Sequence, residues 1–392
     1  MTIHRTITHF FAIFLAVALF SCSTPKKELP IKVDTDQLLK EAEANLSAQI
    51  ITVTDSFCER SAGSPNDFYS EGDYWWPDPE NPDSAYIRRD GMTNPENFTL
   101  HREWMVRFSK IAGSLASAYV ITGDEKYLNA LIPHLEAWFM NPTTKMKANL
   151  MFGQAIKGRV TGRGIGIIDT IHLIEVAKAV QLLQRSELGK TTDLSGVVKW
   201  FEEYLQWMTT HEYGLAERDN GNNHSSTWAL QVAAFADLTQ NEELKEYTRE
   251  MYKTMLLPQQ MNSLGGFPLE LKRTKPYNYS LFNLDALATT CFILSTPEEN
   301  LFEYSTPDGR SLALGMEFMY PFIADKSGWT YEPDVLYWDE WPVKHPSLLF
   351  AGIKLGKPSY LALFDQLTFE TNTFEVLRNM PVRYPLIWVA EK

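Results

Sequence analysis

Two short stretches of this sequence concentrate side chains that could do chemistry. The first is Asp219-Asn220-Gly221-Asn222-Asn223-His224-Ser225-Ser226-Thr227-Trp228, where amides, hydroxyls and one imidazole precede the apolar run to Phe235. That pattern reads as a loop whose last residues enter a helix, with His224 at the helix mouth. The second, Glu270-Leu271-Lys272-Arg273-Thr274-Lys275-Pro276-Tyr277-Asn278-Tyr279, sets three cations and two phenols ahead of the apolar run Leu281 to Leu294. Amide, imidazole, guanidinium and phenol together suit an acidic sugar, because each can donate to a carboxylate.

The elements that would position these groups are mostly helical. Met105 to Ile121, a Thr-Gly-Asp turn and Glu125 to Met140 read as an αα-hairpin with a Gly stop and an Asp cap. Trp228 to Leu238, a Thr-Gln-Asn turn and Glu242 to Leu257 repeat that grammar. Ile168 to Leu183, Val197 to Met208, Leu281 to Leu294 and Leu312 to Ile323 add further helices, and Asp36 to Phe57 is expected to open the fold as an amphipathic one. Serial αα-hairpins without a strict repeat predict an all-α fold, an α/α toroid with long aromatic loops around a central cleft; an α-solenoid is the alternative.

Between Glu59 and Phe98 five prolines interrupt the helical pattern and predict a long ordered loop. It carries Trp75, Trp76 and Arg88, rings and a guanidinium suited to pyranose faces and carboxylates, although each Trp equally suits pinning the loop to the core. Arg89, Arg159 and Arg163 are further cations outside the apolar runs, and Gly162-Arg163-Gly164 also reads as a loop pivot. The aromatic and acidic segment 327–346 is either a cleft wall or a packed lid.

A formal net charge of -13 argues against nucleic acid, which needs a basic face. It leaves room for a polyanionic substrate if the cations gather in one cleft. Only Cys58 and Cys291 lie beyond Cys22, too few for a disulfide framework, and no zinc, calcium or phosphate-loop motif appears, so no metal or cofactor is expected. The start of the chain has the layout of a bacterial leader: His4 and Arg5, an apolar run too short to span a bilayer, then Leu19-Phe20-Ser21-Cys22, which resembles a lipobox. The expected organisation is a signal peptide over 1–21, lipidation at Cys22, a tether over 22–35 and one domain over 36–392, held by its lipid at the cell envelope.

Five ordered blocks carry a family resemblance: Tyr74-Trp75-Trp76-Pro77-Asp78-Pro79; Arg88-Arg89-Asp90-Gly91 with Asn94-Pro95; Gly162-Arg163-Gly164; Asn222-Asn223-His224-Ser225; and Glu270 to Tyr279. Together they resemble the alginate-lyase superfamily of helical polysaccharide lyases. The resemblance implies an α/α toroid and β-elimination of a uronic-acid polymer without a metal. By position it implies that Asn223 neutralises the substrate carboxylate, His224 is the adjacent catalytic imidazole, Arg273 the cation and Tyr279 the catalytic phenol. Two departures, Ser226-Thr227-Trp228 after the Asn-His-Ser and the extra Lys275 and Tyr277 near Tyr279, leave the uronate open between mannuronate and glucuronate types.

The chemistry is consistent with those roles. The C5 proton of a uronate becomes acidic once its carboxylate is neutralised, which fixed donors can do. Tyr279 would take that proton as phenolate and return one to the leaving C4 oxygen. Its ordinary value near ~10 makes an adjacent cation necessary, and Arg273 is the candidate. A guluronate chain would need a second group on the opposite face, for which His224 is available. Gln154, Arg159, Arg163, Asn222, Trp228, Lys275 and Tyr277 are further candidates for substrate contact, with Tyr277 able to exchange roles with Tyr279. Each also has a plainer role: a capping network for His224, core or rim for Tyr279, a turn for Asn222 and solvent for Lys275. The rival enzyme is a toroid glycoside hydrolase using Asp219, Glu270 or Asp285 as acid and base. The rival without catalysis is a lipoprotein that captures glycans on aromatic platforms.

Overall fold

The computed structural model describes residues 31–390. The expected leader, Cys22 and the 22–30 part of the tether lie outside the described residues. Ile31 already sits in the core at 7% exposure, and Lys32 N–H donates to Asp365 at 3.2 Å. The remainder of the expected tether is therefore docked on the domain.

Five helices stand side by side around the inside of the fold: Leu100–Thr122, Leu173–Arg185, Asn223–Leu238, Pro276–Leu294 and Pro346–Lys354. Outer helices cover them: Thr35–Asn45 and Lys126–Leu135 lie on the first, Ser195–Thr210 and Glu242–Met251 on the third, Leu312–Ala324 on the fourth and Pro358–Gln366 on the fifth. The C-terminal turn Leu386–Val389 packs on the first two inner helices. This is the incomplete α/α toroid expected from the serial hairpins. The inner helices owe their position to being apolar all round. Along Pro276–Leu294 every residue except Ile293 is buried. Its buried Ser and Thr hydroxyls are satisfied by its own backbone: Ser280 donates to the Pro276 carbonyl and Thr289 to that of Asp285.

The first helix stops at Asn45 rather than running to Phe57. Residues 50–54 are Ile-Ile-Thr-Val-Thr, a β-branched run that resists helix, and Thr52 and Asp55 instead form a capping box around a 3-10 turn. Cys58 and Cys291 are free and buried.

The 59–98 loop is ordered by two short strand pairs, Tyr69–Glu71 parallel to Phe152–Ala155, and Trp75–Trp76 antiparallel to Ile87–Arg88. Asn94 and Asn97 brace it by donating side-chain amides to the carbonyls of Trp75 and Gly72, both at 2.9 Å. The 327–346 segment packs over the start of the fourth inner helix. Asp334 accepts from the N–H groups of Tyr277 and Asn278, and Trp329 and Trp338 meet the Tyr277 ring edge to face.

Candidate active site

One cavity of about 290 Å³ lies at the end of the toroid where these loops meet. The residues Asn223, His224, Arg273 and Tyr279 all line it, from two inner helices and the loop between them. Asn222 caps the 223–238 helix by accepting from His224 N–H at 3.0 Å. That cap fixes where the helix begins and so where the next two side chains emerge.

Each of the two is then held by a buried carboxylate. Asn223 donates its backbone N–H and its side-chain amide to the two oxygens of Glu270, both at 2.7 Å. One amide hydrogen and the amide oxygen stay available to a ligand. His224 Nδ1 lies 2.7 Å from Glu217 Oε1. A carboxylate only accepts, so Nδ1 carries the hydrogen and Nε2 is left as the free acceptor. Burial raises the Glu270 carboxyl above its ordinary value against the pull of Asn223, Arg273 and His224.

Tyr279 shares a 2.5 Å hydrogen bond with Tyr74, and the Arg273 guanidinium lies 4.5 Å from its ring centroid. The expected cation is therefore present, yet it does not win. Burial pushes the Tyr279 phenol well above the ordinary tyrosine value, Tyr74 adds to the rise and Arg273 only opposes it. Tyr279 is therefore a neutral O–H near neutral pH. Arg273 is itself tied to Asp90 through two donors, at 3.0 and 3.2 Å. Despite its partial burial, Asp90 is held down to about 2 by Arg273 and Arg88.

Trp75, Arg88, Gln154, Arg163 and Asn222 also line the cavity. Gln154 adopts a left-handed φ of 50°, a strained conformation for a non-glycine residue. Its carbonyl and its side-chain oxygen both accept from Arg163, at 3.0 and 2.9 Å. Gly162 makes this approach possible, since a Cβ there would sit 1.9 Å from the Met151 carbonyl oxygen. The glycine run is thus a close-packing device that aims Arg163 into the cavity. Arg163 makes no ion pair among the described residues, and burial lowers its affinity for a proton.

Five expected contacts fall elsewhere. Trp228 is 1% exposed and donates its indole N–H to the Met208 carbonyl; it is core. Tyr277 is 0% exposed with its hydroxyl on the Phe322 carbonyl at 3.0 Å, so it cannot stand in for Tyr279. Lys275 is 0% exposed and paired with Glu375 at 2.7 Å, beneath the rings of Tyr74 and Tyr337. Trp76 is half-buried and pins the loop by donating to the Met92 carbonyl. Arg159 lies outside the cavity, its guanidinium 5.1 Å from the Trp75 ring centroid.

Sequence reasoning missed the cavity floor. Asp73 lies between Arg102 at 2.7 Å and Arg378 at 2.5 Å. Burial works against its charge, yet the two arginines hold its carboxyl far below the ordinary range. Nearby Asp169, accepting from Ser70 at 2.5 Å, is instead raised by its burial. Five arginines and two aspartates line the cavity, so the cations of an acidic chain do gather in one cleft. The carboxylates of a hydrolase are not arranged here. Asp219 is exposed and paired with Arg218, Glu270 is committed to Asn223, and Asp285 is buried against His345 and Ser347.

An incomplete α/α toroid with amide, imidazole, guanidinium and phenol around a cationic cleft defines a helical polysaccharide lyase. The alginate lyase family model matches residues 52–329, and the chain belongs to that family. An alginate lyase from Bacteroides ovatus is 32% identical, with a TM-score of 0.79 over 90% of this chain and 92% of that one. Alginate lyase A1-III from Sphingomonas species A1 shares the fold at 15% identity, with a TM-score of 0.56 over 91% and 94% of the two chains. The same enzyme complexed with a tetrasaccharide gives 16% and 0.52 over 80% and 84%. No curated protein matches the chain by sequence.

Proposed function

We propose that this lyase cleaves a uronic-acid polymer, with mannuronate-type alginate the first candidate and glucuronan the second, by β-elimination that leaves a 4,5-unsaturated uronate end. The observation that carries this reading is Arg163, a half-buried guanidinium held on Gln154 beside Asn223 and Tyr279 without a carboxylate of its own. Asp73, Asp169 and Glu217 act on its charge only from beyond ion-pair distance; a desolvated cation is costly, and an anionic substrate supplies a direct partner.

In the proposed reaction Asn223 and Arg273, joined by His224 Nε2 when the ring carries a second proton, donate to the C6 carboxylate and stabilise the charge that builds there as the C5–H bond breaks. Tyr279 first loses its hydroxyl proton to solvent; as phenolate it takes the C5 proton, the C5 electron pair becomes the C4–C5 double bond, and the phenol returns that proton to the C4 oxygen as the C4–O bond breaks. Proton, electron pair and leaving group balance, with no added water. In mannuronate and glucuronate chains the C5 hydrogen and the C4 oxygen share a face, so one phenol serves both steps. On a guluronate chain His224 Nε2 is the candidate base for the opposite face.

The test is near-ultraviolet absorbance of the purified protein with polymannuronate, polyguluronate, glucuronan and hyaluronan, followed by an assay for new reducing ends. A rise in absorbance with one polymer identifies the uronate. New reducing ends without absorbance would mean hydrolysis and would overturn the proposal. We also propose that the enzyme works at the bacterial cell envelope, anchored through a lipid on Cys22. Cys22→Ser should move it from the membrane fraction to the soluble one, and an unchanged distribution would refute the anchor.

A further inference from the structure

A second groove of about 690 Å³ opens beside the cleft, with Arg60, Lys157, Arg159 and Tyr213 in its lining. One wall is the turn from Ile156 to Val160, whose ends form an antiparallel bridge. At its middle is Gly158, with φ +73, where a Cβ would come within 2.7 Å of Ala85. The turn is tied down from outside as well. Tyr86 N–H donates to the Lys157 carbonyl at 3.1 Å, and Arg159 Nε donates to the Tyr86 carbonyl at 2.7 Å. A rigid turn therefore presents two exposed cations.

Their charge is not neutralised locally. Arg60 has Glu71 at 2.6 Å, but neither Lys157 nor Arg159 pairs with a carboxylate among the described residues. The Lys157 ammonium lies 5.6 Å from the Tyr86 ring centroid. The Arg159 guanidinium lies 5.1 Å from that of Trp75, the same indole that lines the cleft and has Arg163 at 6.0 Å. Cleft and groove are thus neighbours across one ring. Tyr213, half-buried and held by its hydroxyl on the Gly162 carbonyl at 3.0 Å, adds a fixed aromatic face. Two positioned cations beside such a face complement a carboxylate-bearing pyranose.

The geometry points to a secondary subsite in this groove for the acidic polysaccharide itself. Lys157 and Arg159 take carboxylates of sugars beyond the bond being broken, and Tyr213 lies against one of their rings. This rests on the polyuronate reading of the cleft. The subsite makes affinity depend on chain length, because only a chain long enough to leave the cleft past Trp75 reaches it.

The test is turnover of size-fractionated oligomannuronate, short and long, by the native chain, Lys157→Glu and Lys157→Arg. Short oligomers that end inside the cleft are the internal reference. For Lys157→Glu the KM of long oligomers should rise roughly three- to tenfold, as expected for losing and reversing an exposed ion pair, while short-oligomer kinetics stay native. Salt should shrink the difference, and Lys157→Arg should keep the native dependence on length. An unchanged long-to-short ratio in Lys157→Glu, or an equal loss at every length, overturns the subsite. A native chain that turns over no length of oligomannuronate or of a matching oligoglucuronate series overturns the reading of the cleft, and the subsite with it.

Discussion

His224 presents Nδ1 to Glu217 Oε1 at 2.7 Å, and the Glu217 side chain is fully buried. The pair spans the turn between the 212–218 and 223–238 helices, so one helix end sets the ring orientation at the mouth of the next. Glu217→Gln keeps the shape and removes the charge that holds the imidazole. Turnover should fall by roughly 10²–10⁴-fold, as when an imidazole loses the carboxylate that fixes its tautomer, with native circular dichroism. Native kinetics with an unaltered pH profile would show that the imidazole orientation does not matter.

Tyr279→Phe removes the proposed proton carrier without emptying its site. General acid–base catalysis is worth roughly 10²–10⁴ in rate, so turnover should drop at least that far while the helical spectrum stays native. His224→Ala and Asn223→Ala should also lose most activity. The contrasting variant is Tyr277→Phe, which loses one hydrogen bond to Phe322, worth about 1 kcal/mol of stability, and keeps its turnover. Full activity in Tyr279→Phe would remove that phenol from the mechanism.

The pH dependence follows from the same phenol. Burial holds Tyr279 above the ordinary tyrosine value, so its base form is scarce at neutral pH. Where that form is required, kcat/KM should climb about tenfold per pH unit on the alkaline side of neutrality. A rate that falls over that window would assign Tyr279 the acid role alone and pass proton abstraction to His224.

Arg163 should show binding and stability pulling apart. Arg163→Gln relieves a desolvated cation that has no carboxylate at ion-pair distance, so the melting temperature should hold or rise, while KM for the polymer rises and kcat changes less. A lowered melting temperature with unchanged KM would make Arg163 a structural residue.

Asp73 should behave oppositely. Its carboxyl is depressed in the folded chain, so its stabilisation is present above the ordinary carboxylate value of ~3.9 and is lost as pH falls from there toward the folded value. Asp73→Asn removes the carboxylate between Arg102 and Arg378, leaving Asp169 at 3.9 Å from the first and Glu375 at 2.8 Å from the second, and should cost up to about 3–5 kcal/mol by thermal or denaturant unfolding.

The residues of the cleft that were legible in the sequence are those bunched at helix mouths. Asn222, Asn223 and His224 form a cap, and a cap declares itself through its composition. The misassigned ones lay equally close in sequence. Tyr277 and Tyr279 are two positions apart, a rotation of roughly 200° on a helix, so they point to opposite sides. Lys275 was decided by Glu375, a hundred residues away, and Trp228 by a helix buried nearly all round. Arg102 and Glu217 lie within ordinary-looking helices, and their roles exist only through the partners that folding brings to them. The hairpin grammar carried the toroid because helix periodicity and turns are local, whereas the early end of the first helix came from a β-branched run that an apolar pattern does not separate from helix.

Arg378 reaches the cavity from the far end of the chain, and it binds Asp73 across 305 positions of sequence. Just beyond it, the backbone N–H groups of Arg383 and Tyr384 are held by Glu175 at 2.7 Å. The cavity floor is therefore finished last, by a segment that leaves the ribosome after everything it completes. A chain cut before Arg378 lacks the second arginine that balances Asp73 against Arg102, and its cavity floor is left unfinished.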